Sequence, residues 1–435
     1  MRTSIAAALA ALVMAAGATA TGAIAQDKPE AVKVGITTFL SGPASVFGVP
    51  GRAAAEILAE DLNGRGGIDG VPVELFFTDE GAGGETLASE FRRLVQDEKV
   101  DVMMAAISSG NCLNLAPLAE DLQVINIMWD CGTQRIFEEA EYKYNFRTQG
   151  NATAEMMAAL LYLLQTKPDF STIAVVNQDY AWGRDSWNLF STALKTLKPD
   201  VKIVAELFPR FGAPDYSAEI SRLQALRPDV ILSTSWGGDL ETFVRQASQR
   251  GLTQSSTFVL PLAESSLQRL GGALPDGAIV GGRGDHYFLH PETKDGDDFK
   301  SFVEAFREKT GDYPIYPAFH MAQAFAALEG AYTKAIEANG GNWPTEDQVI
   351  EAMEGLSFTG FGREVTLRED HQGLEAQLIG TARTVDGYDF PIIDNIRIYA
   401  AENIMPPVGT ESIEWIGELG PDFLDTSFDA YAHGD

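Results

Sequence analysis

The chain has 435 residues, 45% apolar and 22% charged, with 62 acids against 32 bases and a formal net charge of −30. These values exclude a disordered or fibrous protein, and they exclude nucleic acid as a partner, because so acidic a surface repels phosphate. A chain this long exceeds one hydrophobic core, so two lobes are expected. In chain order, Arg2, the apolar run Ile5 to Ala16 and the small residues Ala23-Ile24-Ala25 have the pattern of a secretory signal peptide over 1–25, with the mature protein starting at Gln26 in the periplasm. The run is too short for a membrane anchor. Val32 to Thr38 alternates as a strand and yields to a turn-rich loop, Phe39 to Pro43. A helix over Arg52 to Leu62 carries Ala54, Ile57, Leu58 and Ala59 at near-helical spacing, and the glycine-rich stretch up to Gly70 stops it. Val71 to Thr78 is the second strand and Glu85 to Glu98 the second helix.

The stretch VMMAAISSGNCLNLAPLAEDLQVINIMWDCGT, Val102 to Thr133, comes next. Val102 to Ile107 and Val124 to Met128 read as buried parallel strands, with a crossover helix, Leu113 to Leu122, between them. Their following loops, Ser108 to Cys112 and Trp129 to Thr133, then emerge at one carboxyl edge of a sheet, where open α/β sheets bind ligands. Ser108, Ser109 and Asn111 at the helix start can hold a small anion through hydroxyls and free N–H groups, or simply cap the helix. The only two cysteines, Cys112 and Cys131, follow neighbouring strands, so in an oxidising compartment a disulfide is expected, with two buried thiols as the alternative. The five histidines show no ligand spacing, so neither metal nor cofactor is expected.

After Gly150 the β-α alternation starts again: helix Ala152 to Leu164, strand Ile173 to Asn177, helix Trp182 to Leu194, strand Val201 to Phe208, helix Tyr216 to Leu226, strand Val230 to Thr234, helix Leu240 to Arg250 and strand Thr257 to Leu260. This is enough for a second parallel sheet with its own core. Trp129, Trp182 and Trp236 stand near strand ends, as ligand faces or lobe-interface packing, while Trp187 suits a helix core. Asp130 and Asp179 lie in loops of the same edge. Aromatic faces with carboxylates suit a cation; the same faces with Ser and Asn donors suit an aromatic acid. No Walker A, GxSxG or HExxH pattern occurs, so no enzyme is expected. His286 and His290 are four apart, but Pro291 argues against a metal-binding helix face. Helices Phe299 to Lys309, Ala318 to Glu337 and Thr345 to Glu354 precede a tail, Val365 to Asp435, of short strands.

LSGPASVFG at Leu40 to Gly48, AAAEILAEDLNGRGGIDG at Ala53 to Gly70, the Ser-Ser loop, NFRTQG at Asn145 to Gly150, EISRLQALRPDVIL at Glu219 to Leu232 and FVRQASQRGL at Phe243 to Leu252 together resemble the Leu/Ile/Val-binding, type I family of periplasmic binding proteins. The resemblance implies an α/β fold of two doubly wound parallel-sheet lobes. They would be joined by three crossovers, at Arg147 to Gly150, Gly281 to Tyr287 and Leu356 to Gly362. Lobe one would take 26–149 and 285–358, and lobe two 150–284 and 359–435 with the tail. It also implies that Ser109 binds a ligand carboxylate, that the Asp130 loop adds contacts, and that Phe47, Trp182 and Trp236 supply aromatic faces. The acid that holds a ligand ammonium in amino-acid binders falls at Leu262 or Glu264. The implied function is a monomeric periplasmic receptor that closes over a small polar solute, an amino acid, amide, amine or aromatic acid, and delivers it to an ABC transporter permease. A sensor presenting its closed form to a membrane receptor is the alternative.

Overall fold

The computed structural model describes residues 27–433, so the expected signal peptide lies outside the described residues. Strand β1 (Val32–Thr38) is buried along nearly all its length, as a central strand covered on both faces must be. It lies between β2 (Val73–Asp79) and β3 (Val102–Met104), and β4 (Ile125–Met128) and β5 (Asn145–Arg147) complete a parallel sheet of order β2-β1-β3-β4-β5. Helices α1 (Ser45–Gly64), α2 (Gly84–Gln96), α3 (Ser109–Leu122) and α4 (Arg135–Glu139) accompany it. Helix α1 begins seven residues before Arg52, the expected start, and so takes Phe47 into its first turn. Gly48 permits this, because a Cβ there would stand 2.2 Å from the Phe39 carbonyl oxygen.

The second sheet begins after α5 (Ala152–Thr166), a helix buried on every face from Ala152 to Leu164 and therefore a core element. Strands β6 (Thr172–Val176), β7 (Lys202–Leu207), β8 (Val230–Leu232), β9 (Thr257–Leu260) and β10 (Ile279–Gly281) pair in parallel, with α6 (Ala181–Leu197), α7 (Ser217–Leu226), α8 (Gly237–Gln249) and the short α9 (Leu267–Leu270) between them. The chain then supplies α10 (Asp297–Thr310), α11 (Tyr316–Ala338) and α12 (Glu346–Met353); α10 and α11 pack on α1, beside the first sheet. A small antiparallel sheet of β11 (Ser357–Thr359), β12 (Glu364–Leu367) and β13 (Gly373–Leu374) follows.

The tail corrects one expectation. Strands β14 (Gln377–Arg383), β15 (Ile392–Tyr399) and β16 (Asp429–Tyr431) join the second sheet, which has eight strands in the order β16-β15-β14-β10-β9-β8-β6-β7. They run antiparallel, so this sheet is mixed rather than parallel throughout. The connection explains the direction: β14 and β15 are joined by a short hairpin loop, which allows only antiparallel pairing, whereas a parallel strand needs a long crossover. Helix α13 (Ser412–Gly417) then packs on α6. Among the described residues no helix is long and apolar enough to cross a membrane.

Candidate functional site

The carboxyl ends of the two sheets face each other across a narrow void, closed down to about 10 Å³. Phe47, Ile107 and Ser109 line it from the first lobe, Tyr180, Trp182, Trp236 and Leu262 from the second, and Arg283 from the segment that follows β10. The Phe47 ring lies 5.2 Å from Trp236 and 5.0 Å from Tyr316, centroid to centroid, in tilted and edge-on geometries that aromatic pairs favour. Both indoles are oriented by hydrogen bonds: Trp182 Nε1 donates to the Thr234 carbonyl (2.8 Å) and Trp236 Nε1 to the Tyr180 hydroxyl (2.6 Å).

The lobes are closed on each other. Trp182 lies against Gly132 so tightly that a Cβ there would stand 2.4 Å from its Cζ3, which only glycine allows. Thr133 Oγ1 donates to Asp185 Oδ2 (2.7 Å), Gly238 N to the Pro43 carbonyl (3.3 Å), and Tyr316 N, at the start of α11, to Glu264 Oε2 (2.8 Å). Burial pushes the Glu264 carboxyl up to about 8.

Arg283 is the charged centre of the cleft. Its Nη1 donates to Asp130 Oδ1 (2.5 Å) and to the Asp130 carbonyl (3.0 Å), and its Nε to Glu155 Oε1 (3.1 Å). The guanidinium carbon sits 5.1 Å from the Trp182 ring and 5.8 Å from the Tyr316 ring. Its backbone φ of 45° is in the left-handed region, a conformation that costs a non-glycine residue energy and persists only where surrounding contacts hold it. His320 completes the group: Nδ1 stands 2.6 Å from Asp130 Oδ1 and Nε2 2.6 Å from the Arg283 carbonyl. A carbonyl only accepts, so Nε2 carries a proton, and a further proton must lie between Nδ1 and Oδ1. Burial pushes the Asp130 carboxyl up to about 8 against the pull of Arg283, and holds the His320 imidazole well below its ordinary value.

Of the residues singled out in the sequence, Phe47, Ser109, Trp182 and Trp236 meet at the void. Asp130 lies behind it, held by Arg283. Glu264 is held by the Tyr316 amide while Leu262 faces the void. Four others are placed elsewhere. Asp179 is 47% exposed and pairs with Arg184 at 2.7 Å. Trp129 is in the first-lobe core, packed on Gly51 of α1, with Nε1 donating to the Thr37 carbonyl (3.2 Å). Ser108 and Asn111 are turned to Glu80, a fully buried carboxylate that accepts from Ile107 N (3.0 Å), Ser108 N (2.7 Å) and Asn111 Nδ2 (3.1 Å). The Ser108 amide and the Asn111 side chain therefore already hold the protein's own carboxyl, which burial pushes up to about 8.

The disulfide expected from the sequence is not formed in this structure, which has the alternative arrangement. Cys112 and Cys131 are two free, buried thiols in contact, and burial pushes the Cys112 thiol well up, disfavouring the thiolate through which disulfides form. The fold also gathers histidines that are far apart in sequence: ligating atoms of His286, His320 and Glu375 lie within 4.8 Å of one another, all buried. His320 is engaged as above, Glu375 accepts from Gly150 N (2.6 Å) and Gln323 Nε2 (2.7 Å), and His286 Nε2 stands 2.9 Å from Glu375 Oε1, although neither ring nitrogen of His286 makes a well-aligned hydrogen bond among the described residues.

Sequence reasoning missed Arg283, Tyr180, Glu80, Glu155 and His320. Arg283 stood within the implied crossover Gly281 to Tyr287, and Tyr180 stood between two residues that were noticed. Glu80, Glu155 and His320 carry no local signal, because each reaches its partner only through the tertiary fold.

The sequence profile of periplasmic binding proteins matches residues 31–384. A relative from Brucella melitensis, "Leu/Ile/Val-binding protein homolog 4", is 24% identical over 383 residues, 86% of each chain. Among solved structures, a solute-binding protein of an ABC transporter from Rhodopseudomonas palustris, in complex with 3,4-dihydroxybenzoic acid, superposes with a TM-score of 0.74 at 22% identity, covering 88% of this chain and 100% of the other. An amino-acid ABC transporter substrate-binding protein from Pseudomonas fluorescens superposes with a TM-score of 0.72 at 15% identity, covering 89% of this chain and 99% of the other. With a profile match over most of its length and two lobes closed on an aromatic void, the chain belongs to the periplasmic binding protein family.

Proposed function

We propose that the protein is the solute-binding component of an ABC transporter, which captures a small solute between its two lobes and presents the closed form to a permease. The observation that carries this is the void itself, lined from both lobes and from the segment that joins them. A solute seated there touches both lobes only when they are closed, so its binding energy favours the closed conformation and gives the permease a state to recognise. The relatives named for Leu, Ile and Val, and the structural neighbours crystallised with a benzoic acid or named for amino acids, support a small solute of these classes. The family and the sequence pattern over 1–25 support export to the periplasm with cleavage of the leader.

A thermal-shift screen of amino acids, amides, amines and aromatic acids tests the reading. A true solute at 100 times its Kd stabilises the folded protein by about 2.7 kcal/mol and raises Tm accordingly. No shift with any compound of these classes would contradict it.

A further inference from the structure

Among the described residues, the one charged group at the void, Arg283, is a donor, and no carboxylate lines the void. Trp182 Nε1 and Trp236 Nε1 are engaged with the Thr234 carbonyl and the Tyr180 hydroxyl. Because Tyr180 accepts from Trp236, its own O–H is left to donate. Ser109 Oγ accepts from Thr133 N (3.1 Å), so its O–H is likewise left to donate. Arg283 uses Nε and Nη1 on Glu155 and Asp130, while its Nη2 makes no hydrogen bond among the described residues and is close enough to Gly132 that a Cβ there would stand 2.5 Å away. Two hydroxyls and one guanidinium nitrogen therefore face the solute, on walls that are otherwise aromatic and aliphatic.

We propose, resting on the solute-binding reading above, that the solute is a small carboxylate with a flat apolar body and no ammonium group, its carboxylate held by Arg283 Nη2 with the Ser109 and Tyr180 hydroxyls. A donor set recognises acceptors, and a charged donor to a carboxylate is the strongest pairing available. An ammonium beside the Arg283 guanidinium would require a carboxylate in the wall to offset the like charge. The position after β9 that could supply one presents Leu262, and the neighbouring Glu264 is held by the Tyr316 amide on the other lobe. Asp130 and Glu155 each have one unpartnered oxygen, but their side chains are only 0% and 3% exposed and lie behind the guanidinium they hold, away from the void. Trp182, Trp236 and Phe47 supply faces for a planar body.

Arg283 also joins this recognition to closure. It lies on the segment leaving β10, and its two acids come from opposite lobes, Asp130 after β4 and Glu155 on α5. An anion on Nη2 therefore loads the residue that ties the lobes together.

The test is calorimetric titration of the whole mature protein with pairs that differ in one group: benzoate against benzamide, 4-methylpentanoate against L-leucine, and 3-phenylpropanoate against L-phenylalanine. Each carboxylate without an amine is expected to bind more tightly than its partner, benzoate over benzamide by on the order of 10- to 100-fold. Leu262→Glu, which adds an acceptor to the wall, is expected to narrow or reverse the preference in the two amine pairs while leaving benzoate above benzamide. L-leucine or L-phenylalanine binding as tightly as its deaminated partner to the unmodified protein would overturn the proposal and leave the solute-binding reading standing. Absence of binding by all six compounds would overturn both.

Discussion

Trp182 is the side chain on which closure registers most directly. Its indole N–H is fixed by the Thr234 carbonyl, one face covers Gly132 of the opposite lobe, and the Arg283 guanidinium lies 5.1 Å from its ring. Part of that contact exists only when the lobes meet, so Trp182→Ala is expected to weaken solute binding by about 2 kcal/mol or more, mainly through faster dissociation. Unfolding of the unliganded protein should change by less than the ~3–5 kcal/mol typical of truncating a large aromatic in a closed core. Stopped-flow dissociation and urea unfolding measure the two quantities, and a variant that loses core-sized stability but binds normally would remove Trp182 from the site. Ser109 is less clean, because its hydroxyl also accepts from the Thr133 amide; Ser109→Ala should cost both affinity and about 1 kcal/mol of folding stability.

At the scale of elements, the cleft is pinned where a β-loop of one lobe meets a helix start of the other. Glu264, in the short 3₁₀ turn after β9, accepts the amide of Tyr316 at the first residue of α11, a site where backbone N–H groups lack helical partners. Burial pushes the Glu264 carboxyl up to about 8, against roughly 4.3 in an unfolded chain. Between those values the folded state holds a proton that the unfolded state has released, so this group's contribution is present at low pH and is lost as pH rises toward 8. Stability should therefore fall with pH across that window, by at most on the order of 1 kcal/mol per unit from this group. Glu264→Gln removes this share and should flatten the slope, though Glu80, Asp130 and Glu155, raised in the same way, keep the rest of it. Urea midpoints at pH 5, 6, 7 and 8 check the effect, and equal slopes for both proteins would contradict the assignment.

The alternation of elements up to β9 was legible because each strand is a short apolar run bounded by turn residues and each helix carries a spaced apolar face. The antiparallel end of the second sheet was not, since Gln377–Arg383 and Ile392–Tyr399 show only that strands exist, and direction depends on which edge they meet. Within the site, loop position after a strand was enough to find Ser109, Trp182 and Trp236. The same rule misplaced Trp129 and Asp179, because position in a loop does not say which way a side chain turns. Arg283, Glu155 and His320 were hidden because their partners are up to 190 residues away in the chain.

At the scale of the whole molecule, the facing loops of the two lobes complete the candidate site only when the lobes are together. The structure shows the closed arrangement, with Thr133, Gly238 and Tyr316 each donating a hydrogen bond across the cleft. In the absence of solute those few contacts must hold buried aromatic surface and a charged guanidinium without the partner they are shaped for, so the open form should be substantially populated. Small-angle X-ray scattering of the mature protein, titrated with the tightest-binding compound from the calorimetric series, measures this directly. The account predicts a radius of gyration that falls on saturation to the value calculated from the closed structure; a radius unchanged between free and saturated protein would contradict it.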